Sequence, residues 1–255
     1  MIGQTIRAFT DPGAGASFVP YSGLHLVSVV VSIATIAAVA LLGRALRAKK
    51  AEANLRRAIA IFAACYFVAY NVWWNWKGVD VASGLPLQIC DLNGMVAPLA
   101  LWTRNRWARA TLYFWAFALT LQAFIQPLLT AGPASLVFWA FWIAHTIVMT
   151  CAVYDIAVLG FRPDWRDFGR AAAVSLLYLA IILPVDLRLG ANYGFVGNPP
   201  PAWRIPPFVA ALGPWPGRAV ILVALVALAF VIALLPWQFL RRLRQYRKPR
   251  PCRTD

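Results

Sequence analysis

Acidic residues are scarce in this chain, and charge of either sign is low. Asp and Glu together number nine among 255 residues, all charged residues make up 13%, and hydrophobic residues make up 61%. Soluble globular domains carry about 25% charged residues. The composition therefore excludes an ordinary soluble domain and predicts an integral membrane protein.

Cysteine and histidine are also rare, with four and two residues. Cys65, Cys90, Cys151 and Cys252 form no CxxC pair, so neither a disulfide framework nor a metal site is expected. No internal repeat, low-complexity tract or second domain is visible. We expect one membrane domain over residues 1–240, a basic tail over 241–255, and no cofactor.

Long apolar runs are abundant. Seven of them approach the length of about 20 residues that crosses a hydrocarbon core about 30 Å thick. They cover residues 24–43, 58–76, 86–103, 110–129, 136–159, 170–187 and 217–236. The sequence thus predicts an all-α, polytopic membrane helical bundle with about seven transmembrane helices.

The positions of the Lys and Arg residues predict how the bundle is oriented. The formal charge of +15 would suggest nucleic-acid binding in a soluble chain. With seven spans, however, 19 of the 24 cations fall on one side, at residues 44–57, 104–109, 162–170 and 241–253. Cytoplasmic loops carry such an excess. We therefore expect the N-terminus outside and the C-terminus in the cytoplasm, with no nucleic-acid partner.

Polar side chains within the spans collect in their outer halves. They are Asn71, Asn75, Gln88, Asp91, Asn93, Gln122, Gln126, Asp186 and, near mid-span, His145. A polar group left unsatisfied in lipid is costly, so such residues turn inward or mark a working site. Their grouping predicts an outward-facing polar cavity. The alternative is that they join helices, each bond contributing about 0.6 kcal/mol.

The last outer connection, residues 188–216, is long and contains seven prolines. Proline lacks the backbone N–H that a helix needs, so regular helix is not expected there. A connection of this length inside a compact bundle is often functional. We regard it as a candidate lid or functional loop.

Cys90 is the cysteine whose neighbours suggest chemistry, because Asp91 follows it and Pro86 could begin its helix. A thiol becomes a nucleophile when a base favours the thiolate. The assumed helix starts place Cys90 about 6 Å and His145 about 14 Å below the outer boundary, which leaves a contact open. The alternatives are a packing cysteine and a hydrogen-bonded structural histidine. Asp91 would orient His145, pair with Arg188, or be protonated.

The chain resembles the YwaF-like bacterial integral membrane proteins, which are related to eukaryotic transmembrane protein 164. The resemblance runs from the second span to the seventh and rests on residues 85–92, His145, 190–195 and 213–216. The eukaryotic relatives are described as acyltransferases that act on phospholipids through an acyl-cysteine. The resemblance thus implies a bacterial plasma-membrane protein with Cys90 as nucleophile, His145 as base and Asn192 in the site. The chain departs from the family pattern at Gln88, Asp91 and Gly194.

The leading hypothesis is an acyltransferase with membrane lipids as acyl donor and acceptor. Its candidate substrate-site residues are Gln88, Asp91, Gln122, Gln126, Asp186 and Asn192. The alternative is a non-enzymatic small-solute carrier or binding protein that uses the same outer cavity. A structural or assembly partner is the third reading, and the oligomeric state is left open.

Overall fold

A computed structural model describes residues 17–76, 78–200 and 205–246, and every regular element in these ranges is a helix. The seven principal helices are α1 (Gly23–Leu46), α2 (Lys50–Asn75), α3 (Ile89–Thr103), α4 (Arg106–Ile125), α5 (Leu136–Ala157), α6 (Trp165–Leu189) and α7 (Gly217–Tyr246). Each predicted span corresponds to one of them. The prediction of an all-α polytopic bundle is confirmed.

Six of the seven helices are long and apolar enough to cross a membrane, and α3 is the exception. Its 15 residues rise about 22 Å at 1.5 Å per residue, which is less than the hydrocarbon core. The expectation that Pro86 begins this helix is wrong. Gln88 is the N-cap, with extended backbone, because the preceding segment is engaged by the outer loop rather than by helical hydrogen bonds.

Helix α4 changes its winding in the middle. Residues Trp115–Thr120 form a π-helical segment between the α-helical parts Arg106–Phe114 and Gln122–Ile125. Such segments are rare and are frequent at functional sites. The last residue of the segment, Thr120, is fully buried. The wider turn thus places a polar side chain inside the bundle.

Small residues let the helices approach closely. An ideal Cβ on Gly43 of α1 would lie 2.5 Å from the Tyr154 ring of α5, and one on Gly94 of α3 would lie 3.2 Å from the Phe67 ring of α2. Membrane helices associate through close packing of this kind, because lipid offers no hydrophobic driving force between them. These two contacts help to set how α1 lies on α5 and how α2 lies on α3.

An ionic network closes the opposite end of the bundle from the outer loop. Asp155 is 2% exposed and accepts two hydrogen bonds from Arg109 Nε, at 2.9 and 3.0 Å. Arg106 pairs with the buried Asp167 at the start of α6. Both guanidinium groups lie over the Phe161 ring, 4.7 and 4.8 Å from its centroid. Asp155 therefore ties α5 to α4.

The last outer connection contains two short helices, a 3-10 turn at Tyr193–Phe195 and a helix at Pro207–Ala210. The expectation that proline excludes helix there was therefore too broad, since Pro207 occupies the first turn, where its missing N–H costs nothing. Helix α7 continues through the first residues of the predicted tail, up to Tyr246. The remainder, including Cys252, lies outside the described residues. The orientation in the membrane stays a prediction.

Candidate functional site

Cys90 is the second residue of α3 and lies in its first turn, closer to the helix start than the sequence suggested. The hydroxyl of Thr120, in the π segment of α4, accepts a hydrogen bond from Asn93 Nδ2 over 3.2 Å. The same hydroxyl lies close to the Cys90 thiol. Asn93 and Thr120 are both 0% exposed. The thiol thus has a buried polar side chain of a neighbouring helix beside it.

Asp91 is the third residue of α3, and its carboxylate lies near the backbone N–H of the N-cap Gln88. From this position a side chain can reach back toward a donor that the helix itself cannot use. Among the described contacts, Asp91 bonds neither His145 nor Arg188. Its structural role is therefore to close the start of the helix that carries Cys90.

Gln88 joins the start of α3 to the outer loop. Its Oε1 accepts from the backbone N–H of Gly194 at 2.9 Å, and its Nε2 donates to the carbonyl of Asn192 at 3.4 Å. Gly194 has a φ of +62°, and an ideal Cβ there would lie 2.7 Å from the Tyr178 hydroxyl. Both the positive φ and the lack of room for a Cβ require glycine at position 194. Residues 192–194, of which Asn192 is a predicted site residue, thus dock on Gln88, two residues before Cys90.

The Tyr193 side chain reinforces this docking. Its hydroxyl donates to the carbonyl of Val81 at 3.0 Å and accepts from the backbone N–H of Leu85 at 3.2 Å. Burial raises the pKa of Tyr193 to about 12. The hydroxyl consequently keeps its proton at neutral pH and remains a donor, which holds the loop against the segment that leads into α3.

Asp186 anchors the same loop from the end of α6. Its side chain is fully buried, and Oδ1 accepts from the backbone N–H of Tyr193 at 2.9 Å. An ideal Cβ on Gly197 would lie 2.9 Å from Asp186 Oδ2, and Arg218 Nη2 donates to the Gly197 carbonyl at 2.8 Å. Asp186 Oδ2 and Asn192 Oδ1 are buried without a partner among the described residues. Asp186 and Asn192, both predicted as site residues, are therefore buried where the outer loop packs on the end of α6.

His145 lies on α5, with its Nδ1 2.7 Å from the carbonyl oxygen of Phe141. A carbonyl can only accept, so Nδ1 carries the proton and Nε2 carries the lone pair. The Phe141 and Phe124 rings flank the imidazole, with centroids 4.3 and 6.4 Å away. The described contacts include no hydrogen bond between His145 and Cys90. Phe124 follows Thr120 by four residues, which is about 6 Å along α4. Cys90 lies near Thr120 and His145 lies near Phe124, so the Cys90 and His145 side chains approach adjacent turns of α4.

The remaining polar candidates are placed differently. Gln122 is exposed on the surface of α4, and Gln126 is half-buried at its C-cap. Neither side chain makes a hydrogen bond within the described part of the chain, so the structure does not join them to Cys90. Asn75 Nδ2 donates to the carbonyl of Gly84 at 3.0 Å, and Asn71 Nδ2 bonds a carbonyl of its own helix.

Sequence reasoning missed Thr120 as a site residue. It stands in the apolar stretch 115–121, and only the π segment turns it toward Cys90. No periodicity in the sequence marks that change of winding. Among the described residues, no three His, Cys, Asp or Glu side chains lie together so as to hold a metal ion.

The chain belongs to the TMEM164 family, which it matches over residues 20–235. An uncharacterised protein of Treponema pallidum (strain Nichols) is 29% identical over 187 residues, which cover 72% of this chain and 76% of the relative. No solved structure matches the chain. The resemblance inferred from the sequence is thus confirmed at the level of the family, and the chain is a multi-pass membrane protein.

Proposed function

We propose that this protein is an acyltransferase that carries a phospholipid acyl chain as a thioester on Cys90, in the plasma membrane of a bacterium. The observation that supports it best is the setting of Cys90, at a helix start, close to the buried Thr120 hydroxyl and adjoining a docked loop. Cys151, by contrast, is fully buried in the apolar core, and Cys65 is exposed on α2. Of the three cysteines that the structure describes, Cys90 is the one with the surroundings of a working thiol.

The first half-reaction transfers the acyl chain to sulfur. The Cys90 thiol gives its proton to His145 Nε2, and the thiolate attacks the ester carbonyl of the lipid. The C–S bond forms, the ester C–O bond breaks, and the leaving lysolipid alkoxide takes the proton back from His145. In the second half-reaction an acceptor hydroxyl gives its proton to His145 Nε2 and attacks the thioester. The new ester C–O bond forms, the C–S bond breaks, and the Cys90 thiolate takes the proton from His145.

This chemistry requires Cys90 and His145 to meet when lipid binds. Catalytic hydrogen bonds are often long before substrate is present and tighten in the reactive complex. The tautomer of His145 suits the role, because the Phe141 carbonyl leaves Nε2 free to accept a proton. The free N–H groups at the start of α3 are the donors we assign to the carbonyl oxygen as it becomes negative.

The roles of Gln88 and Asn192 follow from their contacts. Gln88 holds the backbone of residues 192–194 against the start of α3, so it positions the loop. Asn192 presents in that loop a buried Oδ1 that has no hydrogen-bond partner in the described part of the chain. We assign Gln88 and Asn192 to shaping the site, and Cys90 and His145 to the reaction.

The experiment uses the full-length protein in phosphatidylcholine vesicles that contain a phospholipid with an alkyne-tagged acyl chain. The tag is expected on Cys90 and is released by hydroxylamine, which cleaves thioesters. Cys90→Ala abolishes the label, whereas the matched variant Cys65→Ala keeps it. His145→Gln is expected to slow labelling without loss of folded protein. Full lipid remodelling by Cys90→Ala would overturn the proposal.

A small-solute carrier is the alternative, and it receives less support from the polar side chains. The Asn71 and Asn75 amides bond backbone carbonyls, Asp91 lies against the backbone at a helix start, and Gln122 faces outward. Counterflow of a solute in vesicles without any acyl turnover would favour the carrier.

A further inference from the structure

An aromatic cleft opens on the membrane-facing surface between α2 and α5. Its volume is about 260 Å³, and its lining side chains are apolar or aromatic. They are Tyr66, Tyr70, Trp73, Leu136, Trp139 and Ala140. Both helices are membrane spans, so hydrocarbon chains surround the opening.

The cleft is built by one face of α2. Tyr66, Tyr70 and Trp73 follow at helical spacing and therefore share that face. The Tyr66 and Tyr70 rings stack with centroids 6.4 Å apart and planes 7° apart, and Tyr70 lies 6.1 Å from Trp73. The Tyr66 hydroxyl donates to the carbonyl of Ala140 at 3.0 Å, which fixes the separation of the two helices at the deeper end.

The packing of α2 on α3 determines what lies at the back of the cleft. The two helices run antiparallel, with Phe67 against Gly94 at one level and the Asn75 amide bonded to the Gly84 carbonyl at another. Residues of α2 between these levels therefore lie at the same height as residues 84–94, which comprise the segment before α3 and its first turns.

Tyr70 is such a residue, and it lies within electrostatic range of the Asp91 carboxylate. Asp91 adjoins Cys90 in the first turn of α3. The Tyr70 wall of the cleft thus lies at the level of the residue that follows Cys90. An acyl chain lying in the cleft has its ester end at the level of the first turn of α3 when that end is level with Tyr70.

We propose that this cleft binds one acyl chain of a membrane phospholipid. The ester end lies at Tyr70 and Trp73, and the chain continues past Tyr66 and Ala140 toward the bilayer centre. Bulk lipid is as apolar as the cleft, so the gain comes from close aromatic contacts that align the chain. Such alignment lowers the entropic cost of attack by a fixed nucleophile. The catalytic role of the cleft rests on the proposed function, whereas its occupancy by lipid does not.

The test maps contacts with photoreactive lipid in a protein that cannot turn over. Full-length Cys90→Ala protein in phosphatidylcholine vesicles receives a small fraction of phosphatidylcholine with a diazirine either near the ester or in mid-chain. The near-ester probe is expected to label Tyr70 and Trp73, and the mid-chain probe Tyr66 and the α5 segment around Ala140. Leu176 and Leu177 of α6, 61% and 62% exposed, report ordinary lipid contact. Equal labelling of the cleft and of α6 with both probes would overturn the proposal.

Two tryptophan substitutions then test the shape of the cleft. Ala140→Trp fills it and is expected to abolish the position-dependent labelling and to shift acyl transfer toward shorter chains. Val68→Trp, on the opposite face of α2 and 58% exposed, leaves both unchanged. If Ala140→Trp does not fold, the labelling pattern of the Cys90→Ala protein still tests whether the cleft binds an acyl chain.

The outcomes also separate the two proposals. Cleft labelling without any acyl-Cys90 in the unsubstituted protein retains the lipid site and rejects the acyltransferase. Acyl-Cys90 with labelling no stronger in the cleft than on α6 rejects the lipid site alone.

Discussion

The Asn93 amide nitrogen donates to the Thr120 hydroxyl across 3.2 Å, at a point where both side chains are fully buried. This bond joins α3 to the π segment of α4, and the same hydroxyl lies close to Cys90. Asn93 Oδ1 has no partner among the described residues, so the Thr120 bond is the contact that fixes this amide. The start of α3, which carries Cys90, is therefore joined to a helix irregularity.

Thr120→Val removes the hydroxyl at nearly constant volume. The Asn93 amide then loses its partner, and leaving a buried polar group unsatisfied costs about 1–3 kcal/mol. The Cys90 thiol loses a polar neighbour. We expect a lower unfolding temperature in detergent and slower formation of acyl-Cys90. Thr150→Val is the control, because its hydroxyl bonds only the Thr146 carbonyl of its own helix. Equal effects of the two variants on acylation would contradict the role given to Thr120.

Gly43→Ala tests the crossing of α1 over α5. The added methyl would lie 2.5 Å from Tyr154 Cε2 and 2.8 Å from Val158 Cγ2, both in the core. Overpacking of this kind costs about 1–3 kcal/mol. Gly169→Ala is the matched control in α6, where nothing lies within 4 Å, and alanine there stabilises the helix by about 0.5–1 kcal/mol. Thermal unfolding should shift in opposite directions for the two variants, and a shared direction would refute the close approach.

Gln88→Leu tests the docking of the outer loop. It removes the acceptor of the Gly194 N–H and the donor to the Asn192 carbonyl. Loss of a hydrogen bond that contributes about 1 kcal/mol net makes hydrogen exchange at the Gly194 amide roughly fivefold faster. Hydrogen exchange with mass spectrometry measures this. Gln122→Leu, at an exposed position on α4, should leave the rate unchanged, and unaltered exchange in Gln88→Leu would show that Gln88 does not hold the loop.

Asp155→Ala tests the ionic network. Arg109 then remains largely buried without its carboxylate, and breaking a buried pair from one side costs about 3–5 kcal/mol. The double variant Asp155→Leu/Arg109→Met removes both charges and is expected to recover most of the lost stability. Denaturation in detergent compares the three proteins. A single variant as stable as the unsubstituted protein would mean that the pair carries no structural role.

The start of α3 shows where sequence reasoning stopped. The sequence permits a helix from Pro86, but the backbone around Gln88 is extended because the Gln88 amide binds residues more than 100 positions later. Polar periodicity places Gln122 and Gln126 on one helix face, yet spacing alone does not say which face turns inward. Gln122 is exposed, and α4 ends before Gln126.

The sequence by itself determined that this protein lies in a membrane and roughly where its seven principal helices run. Both follow from local quantities, since the bilayer thickness sets the length of an apolar run and each run is contiguous in the chain. Only the tertiary structure decided the surroundings of Cys90. Thr120 of the π segment lies near the thiol, and Tyr70 of the cleft wall lies within electrostatic range of the adjacent Asp91. Those contacts join distant parts of the chain, and they depend on how helices without a hydrophobic driving force between them pack in lipid.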